Sequence, residues 1–339
     1  MKLSIVTTIY RTARCIVEFH RRCVDAGERM QMEVETIFVN DGSPDDGLKV
    51  ATALAKHDLR VIVVDLTRNF GQHLALWAGI EQASGDLVAI MDGDLEEDPL
   101  WLADFYSTMT EGEWDVVYGV EETPRRGLFY RAGRRLFYTL LNGLSAVSFP
   151  ENVVTARLMS RRYVNAILEF QERELYLGGL LYAAGFAQTG VPISKLARTP
   201  TKYAPLKLIR LFINSVTSFS TRPLMIIFIL GLALSAFAGL YFMFLIYRKL
   251  VFGISIEGYA SVMGAIMLSS GITLFFNGIM AIYIATIFLE VKRRPRALIR
   301  NIIRESRSLN FVYKRQPGAP SGSPIAAVER GDKSTRIVS

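Results

Sequence analysis

Short apolar, β-branched runs recur through the first 120 positions: Leu3–Ile9, Val34–Val39, Arg60–Leu66, Leu87–Met91 and Asp115–Val120. Each ends in polar or glycine-rich chain, the pattern of short strands bounded by turns. The intervening segments, ending near Ala26, His57 and Ala83, read as helices. Strand and helix alternating at this spacing predict an α/β fold with a doubly wound, mostly parallel, Rossmann-like sheet. After residue 200 the pattern changes. Leu206, Ile209, Phe212, Ile213 and Val216 recur at helical spacing with Lys207 and Arg210 between them. That suits a helix lying along a membrane surface, or an ordinary amphipathic helix packed on the domain. Residues 223–247 and 259–289 carry no charge at all, and each exceeds the roughly 20 apolar residues that cross a bilayer. Two transmembrane helices are expected. From Gln316 onward Pro, Gly, Ser and charge dominate without a period, the composition of a disordered tail.

Charge orients this arrangement. The chain has 39 Lys and Arg against 32 Asp and Glu, a net charge of +7. Much of the excess flanks the apolar runs: Lys195, Arg198, Lys202, Lys207, Arg210 and Arg222 before them, Lys292, Arg293, Arg294, Arg296 and Arg300 after them. The positive-inside rule then puts both ends in the cytoplasm and the 248–257 linker outside. Met1–Tyr10 has the pattern of a strand, not of a signal peptide. The expected layout is a cytoplasmic domain over 1–200, a juxtamembrane helix over 201–222, two membrane helices over 223–290 and a basic, partly disordered cytoplasmic tail over 291–339. Cys15 and Cys23 have no second ligand pair and read as free cytosolic thiols. The basic excess matches anionic headgroups, and no nucleic-acid motif accompanies it.

The candidate chemistry gathers where predicted strands end. Leu87–Met91 runs straight into Asp92, Gly93, Asp94, Leu95, Glu96, Glu97 and Asp98. Unpartnered buried carboxylates are costly, so this cluster calls for a cation. Asp92 and Asp94 point the same way in extended chain, and Gly93 admits a ligand close to the backbone. Such hard oxygen donors suit Mg2+ or Mn2+; the alternative is a solvated acidic turn capping a helix that starts near Pro99. The loops at Tyr10, at Asn40–Gly47 and at Asp92 all follow strand C-termini, where doubly wound sheets bind ligands. Further on, Arg125, Arg126, Arg131, Arg134 and Arg135 lie among aromatic residues. Guanidinium groups clamp phosphates, although arginines at such spacing can equally form a solvated helix face.

Val39–Asp45, Arg68–Gln72, Gly85–Asp86 and Met91–Glu96 occur in an order and spacing that resembles the family-2 glycosyltransferases with a GT-A fold. The closer match is to the polyprenyl-phosphate branch, which includes dolichol-phosphate mannose synthase and the bactoprenol glucosyltransferases. Arg157–Met159, Lys202–Tyr203 and Ser218–Leu224 are similar to that branch, as is the pair of C-terminal apolar runs. The resemblance implies transfer of a sugar from a nucleotide-sugar donor, a UDP-sugar first among them, to polyprenyl phosphate at the cytoplasmic face of the plasma (inner) membrane, with inversion. It implies that Asp41, Thr8, Tyr10, Arg68, Asp92 and Gly93 bind the nucleotide and that Asp92, Asp94 and Glu96 hold the divalent ion. Asp94, Arg125, Arg131 and Arg157 would be catalytic, and Arg125, Arg131 and Arg134 would bind the acceptor phosphate. The chain departs from the family at Arg11–Thr12, Glu121, Ser160 and Thr155, the last standing where an acid is usual. An ionised acceptor phosphate needs a general base less than a hydroxyl does. A polysaccharide synthase and a non-catalytic membrane scaffold of the same fold are the rival readings, and a homo-oligomer stays open.

Overall fold

The structure is a computed structural model that describes residues 1–121, 139, 143, 150, 152–170, 177–194, 222–252, 258–292, 294–304, 307–314, 326–331 and 334–337. The chain begins β1 (Lys2–Ile9), α1 (Ile16–Met30), β2 (Glu33–Asn40), α2 (Gly47–Ala55), β3 (Val61–Leu66), α3 (Gln72–Ile80), β4 (Leu87–Met91), α4 (Trp101–Glu111) and β5 (Val116–Glu121). It continues β6 (Val153–Ser160), α5 (Arg161–Leu168), α6 (Leu177–Ala183) and β7 (Gln188–Ile193). Two long helices follow, α7 (Arg222–Phe252) and α8 (Tyr259–Val291), then β8 (Ile299–Arg304), β9 (Arg307–Lys314), β10 (Ala326–Gly331) and β11 (Ser334–Ile337). Contacts divide the chain into two units, one of residues 1–134, 149–203 and 293–339, the other of 135–148 and 204–292.

In the first unit the strands form one sheet in the order β11-β10-β9-β8-β3-β2-β1-β4-β6-β5-β7. β3, β2, β1 and β4 are parallel, as the alternating pattern predicts. The strand order reverses between β1 and β4, which opens a crevice at their C-terminal ends. The apolar runs are buried on both faces. Against one face pack α3, α5 and α6 with Trp77, Tyr163, Leu180 and Leu181. Against the other pack α1, α2 and α4 with Phe19, Ala51, Leu102 and Phe105.

One expectation needs correction. The sheet is mixed, not mostly parallel: β6 is antiparallel to β4 and β5, and β8 is antiparallel to β3. Periodicity marks a strand but not its direction, which depends on which distant strands meet in space. After the second apolar run the chain also adds strands to the sheet. Ile299–Arg304 lies next to β3, with Ile302 buried, and β9, β10 and β11 follow. A short strand in a basic stretch has too little apolar pattern to announce itself.

In the second unit α7 and α8 span 31 and 33 residues. Among the described residues one stretch, Leu268–Val291, is long and apolar enough to cross a membrane, with mean hydropathy 2.1 and none of it buried. The expected juxtamembrane helix at 201–221 lies outside the described residues.

Candidate active site

The crevice between β1 and β4 holds a cleft of about 290 Å³. Thr8, Tyr10, Asp41, Asp92, Gly93 and Asp94, predicted separately from three loops, all line it. The described lining residues include three carboxylates and neither Lys nor Arg.

The acidic loop is shaped by its backbone. An added Cβ at Gly93 would lie 2.7 Å from Thr7 Oγ1 and 3.1 Å from the Thr8 carbonyl, so only glycine lets the loop sit this close to β1. Leu95 then takes a left-handed conformation (φ 65°), and Glu96 N–H donates to Asp94 Oδ1 at 3.0 Å. The turn sends Glu97 beneath the loop, fully buried. Its two oxygens accept the N–H groups of Asp92, at 2.9 Å, and Thr155, at 3.0 Å. Asp92 is held from three sides: Glu97 takes its N–H, Gln72 Nε2 donates to Oδ1 at 2.5 Å, and Thr155 Oγ1 donates to Oδ2 at 3.2 Å. Thr155, where an acid would resemble the family better, thus serves as a donor to Asp92. Asp94, by contrast, is exposed.

Asp92 and Asp94 fit a divalent ion, since Mg2+ typically takes one or two protein carboxylates and completes its shell with phosphate and water. No group of three metal-ligating side chains is found among the described residues, so Asp92, Asp94 and Glu96 do not all converge.

On the opposite wall Asp41 is buried at the end of β2 and receives Phe70 N–H at 2.6 Å and Gly71 N–H at 3.0 Å. Asn69 Nδ2 donates to the Asp41 carbonyl at 3.0 Å. Gly42 (φ 62°) permits this docking, because a Cβ there would lie 2.6 Å from Asn69 N. Burial raises the Asp41 pKa, and the two backbone donors offset part of that rise. Arg68 sits outside the cleft, exposed, with its guanidinium 4.1 Å from the Phe70 ring centre.

Arg157 lies on β6 opposite Ile90, only 4 % exposed, and is not part of the cleft lining. Its Nε and Nη1 find no hydrogen-bond partner among the described residues, and its guanidinium lies 5.9 Å from the Tyr182 ring centre. Desolvation, and then the Arg157 charge, lower the pKa of nearby His73. Arg125, Arg131 and Arg134 lie outside the described residues.

Residues 4–168 match the family model described as "Glycosyl transferase family 2". A bactoprenol glucosyl transferase of Shigella phage SfV is 34 % identical over 304 residues, covering 89 % of this chain and 99 % of the relative. The chain belongs to glycosyl transferase family 2. It is 38 % identical over 302 residues to a protein of Mycobacterium tuberculosis named "Putative glycosyltransferases", covering 89 % and 88 % of the two chains. A solved mannosyl-3-phosphoglycerate synthase from Rubrobacter xylanophilus aligns with a TM-score of 0.46 at 16 % identity, covering 64 % of this chain and 72 % of that one. By its family and relatives the protein is a glycosyltransferase, and its first unit is built on a mixed sheet.

Pattern reading of this glycosyltransferase missed Gln72, Asn69 and the buried Glu97, all of which shape the site. Gln72 and Asn69 lie within the Arg68–Gln72 motif and could have been singled out there. Glu97 carries no such signal, because one acid among five gives no hint of which turns inward.

Proposed function

We propose that this glycosyltransferase moves a sugar from a UDP-sugar to polyprenyl phosphate at the cytoplasmic face of the plasma membrane, with inversion and with Mg2+ or Mn2+ as cofactor. One observation carries the donor half: Asp41, Asp92 and Asp94 line a single cleft at the strand switch point. The acceptor half draws support from the relatives named bactoprenol glucosyl transferase and from the apolar stretch Leu268–Val291.

In this reading Asp41 and the loop at Tyr10 take the nucleoside, with Thr8, Gly93 and Arg68 alongside. Asp92 and Asp94 hold the cation, which would neutralise charge on the departing nucleoside diphosphate. An acceptor phosphate oxygen bonds to the anomeric carbon as the bond from that carbon to the diphosphate breaks, its electron pair leaving with the nucleoside diphosphate. That oxygen is already ionised, consistent with Thr155 standing in place of an acid. Arg125, Arg131 and Arg134 bind the acceptor phosphate, and the buried charge of Arg157 assists. Residues 223–290 form two membrane helices, with the catalytic domain and both ends in the cytoplasm; their anchoring keeps the cleft near the lipid headgroup and supplies proximity.

The test is transfer of labelled sugar from UDP- and GDP-sugars into organic-extractable lipid, using detergent-purified protein, polyprenyl phosphate and Mn2+ or Mg2+. Wild type should transfer one sugar, and Asp94→Ala should lose at least about 100-fold in rate. Label appearing in a polysaccharide instead of the lipid fraction would overturn the acceptor assignment.

A further inference from the structure

Asp65, on β3, is a buried carboxylate with no part in the chemistry above. Its Oδ1 accepts Asn40 Nδ2 at 2.7 Å, and its Oδ2 accepts Arg300 Nη1 at 3.1 Å. Arg300 comes from β8, beyond the long apolar helices. Its other nitrogen, Nη2, donates to the Thr67 carbonyl at 2.9 Å. The pairing of β3 with β8 explains how it reaches both. Asp65 pairs with Asn301 and Leu66 with Ile299, so Arg300 is the extra residue of a β-bulge. A bulge re-aims its side chain, and here it turns a guanidinium back across β3.

The two acceptors lead to the two segments that build the nucleotide wall. Asn40 immediately precedes Asp41, and its Oδ1 receives Ser43 N–H at 3.1 Å in the same loop. Thr67 starts the Arg68–Gly71 loop, whose N–H groups hold the Asp41 carboxylate, and Thr67 N–H itself donates to the Leu298 carbonyl at 2.9 Å. One guanidinium therefore fastens both segments, which a point charge could not do, because the planar fork presents two donors at fixed geometry.

We propose that Arg300 is a positioning residue for the donor pocket: the strand that follows the membrane helices braces the Asn40–Ser43 and Thr67–Gly71 loops, and nucleotide affinity depends on that brace. The affinity half rests on the donor reading given above. The competing role is structural, simple neutralisation of Asp65.

The test uses the full chain in detergent with Arg300→Gln, Arg300→Lys and, as a control on the same strand, exposed Arg304→Gln. Two readouts are taken: amide hydrogen exchange of residues 68–71, and calorimetric affinity for UDP and GDP with Mn2+. Arg300→Gln should speed exchange at Phe70 and Gly71 and weaken nucleotide binding by about tenfold, with turnover at saturating donor within about twofold. Arg300→Lys should fall between, since it keeps the charge and loses the fork, and Arg304→Gln should change neither readout. Unchanged exchange at 68–71 in Arg300→Gln would overturn the proposal. So would full rescue by Arg300→Lys, or faster exchange spread evenly over the sheet with a lower Tm, because each marks plain charge neutralisation. Selective loosening of 68–71 in a protein whose wild type binds neither nucleotide would support the brace and overturn the donor reading instead.

Discussion

Glu97 shows how much one side chain can settle. It has no exposed surface, and it joins the end of β4 to β6 by accepting one backbone N–H from each. Glu97→Ala would leave the Asp92 and Thr155 N–H groups buried without that acceptor, at about 1–3 kcal/mol each. We expect a loss of about 2–5 kcal/mol in urea unfolding, and a higher Mn2+ requirement in a more conservative Glu97→Gln. Histidine gives a second expectation at this scale. Burial lowers the pKa of His20, although its contact with Asp58 at 3.1 Å opposes the shift, and His73 is lowered by desolvation and Arg157. Both bind a proton more weakly folded than unfolded, so their stabilising effect is complete above the ordinary histidine pKa, about 6.5. It is lost as the pH falls from there toward the folded values. Unfolding free energy measured from pH 7 to 5 should therefore decline, by at most about 1.4 kcal/mol per pH unit for each histidine. His20→Gln should make the decline shallower. Asp41, Asp92 and Asp94 were legible as a site because each directly follows a predicted strand. Glu97 was not, because burial is decided by the turn at Leu95, a backbone conformation that leucine seldom adopts.

Among the elements, α3 packs closely on β1 and β2. A Cβ on Gly79 would come within 2.3 Å of Val6 and 2.7 Å of Val39, both in buried strands. Alanine's helix preference would return up to about 1 kcal/mol, whereas overpacking a buried contact costs about 1–3 kcal/mol. Packing wins, so Gly79→Ala should lower the Tm. The helix would also tilt at its N-terminus, where Gln72 meets Asp92, and transferase activity should fall with stability. The five strands of the first 121 residues were legible, since runs buried on both faces leave a continuous apolar signature, whereas α4 entered only as the helix starting near Pro99 in the alternative reading of the acidic turn. β8 was not legible: it is short, basic residues flank its isoleucines, and its partner β3 lies more than 200 residues earlier.

For the whole molecule, the apolar stretch Leu268–Val291 predicts attachment by burial and not by charge. Basic segments held on anionic lipid are released by salt, because screening shortens electrostatic reach to about 3 Å at 1 M. Membranes washed with 1 M NaCl should keep this protein, and detergent should extract it. Release by salt alone would contradict the two-helix layout over 223–290.

The sequence by itself determined the alternation of strand and helix, the three loops that carry Asp41, Asp92 and Asp94, and the long apolar runs. These follow from local information, because period, turn residues and uncharged length are properties of neighbouring positions. Tertiary structure alone decided the strand directions, the inward turn of Glu97, and the return of β8 to β3, which brings Arg300 to Asp65 and Thr67. Each of these depends on which distant segments meet in space, and hydrogen bonds between strands far apart in the chain leave no periodic trace in either one.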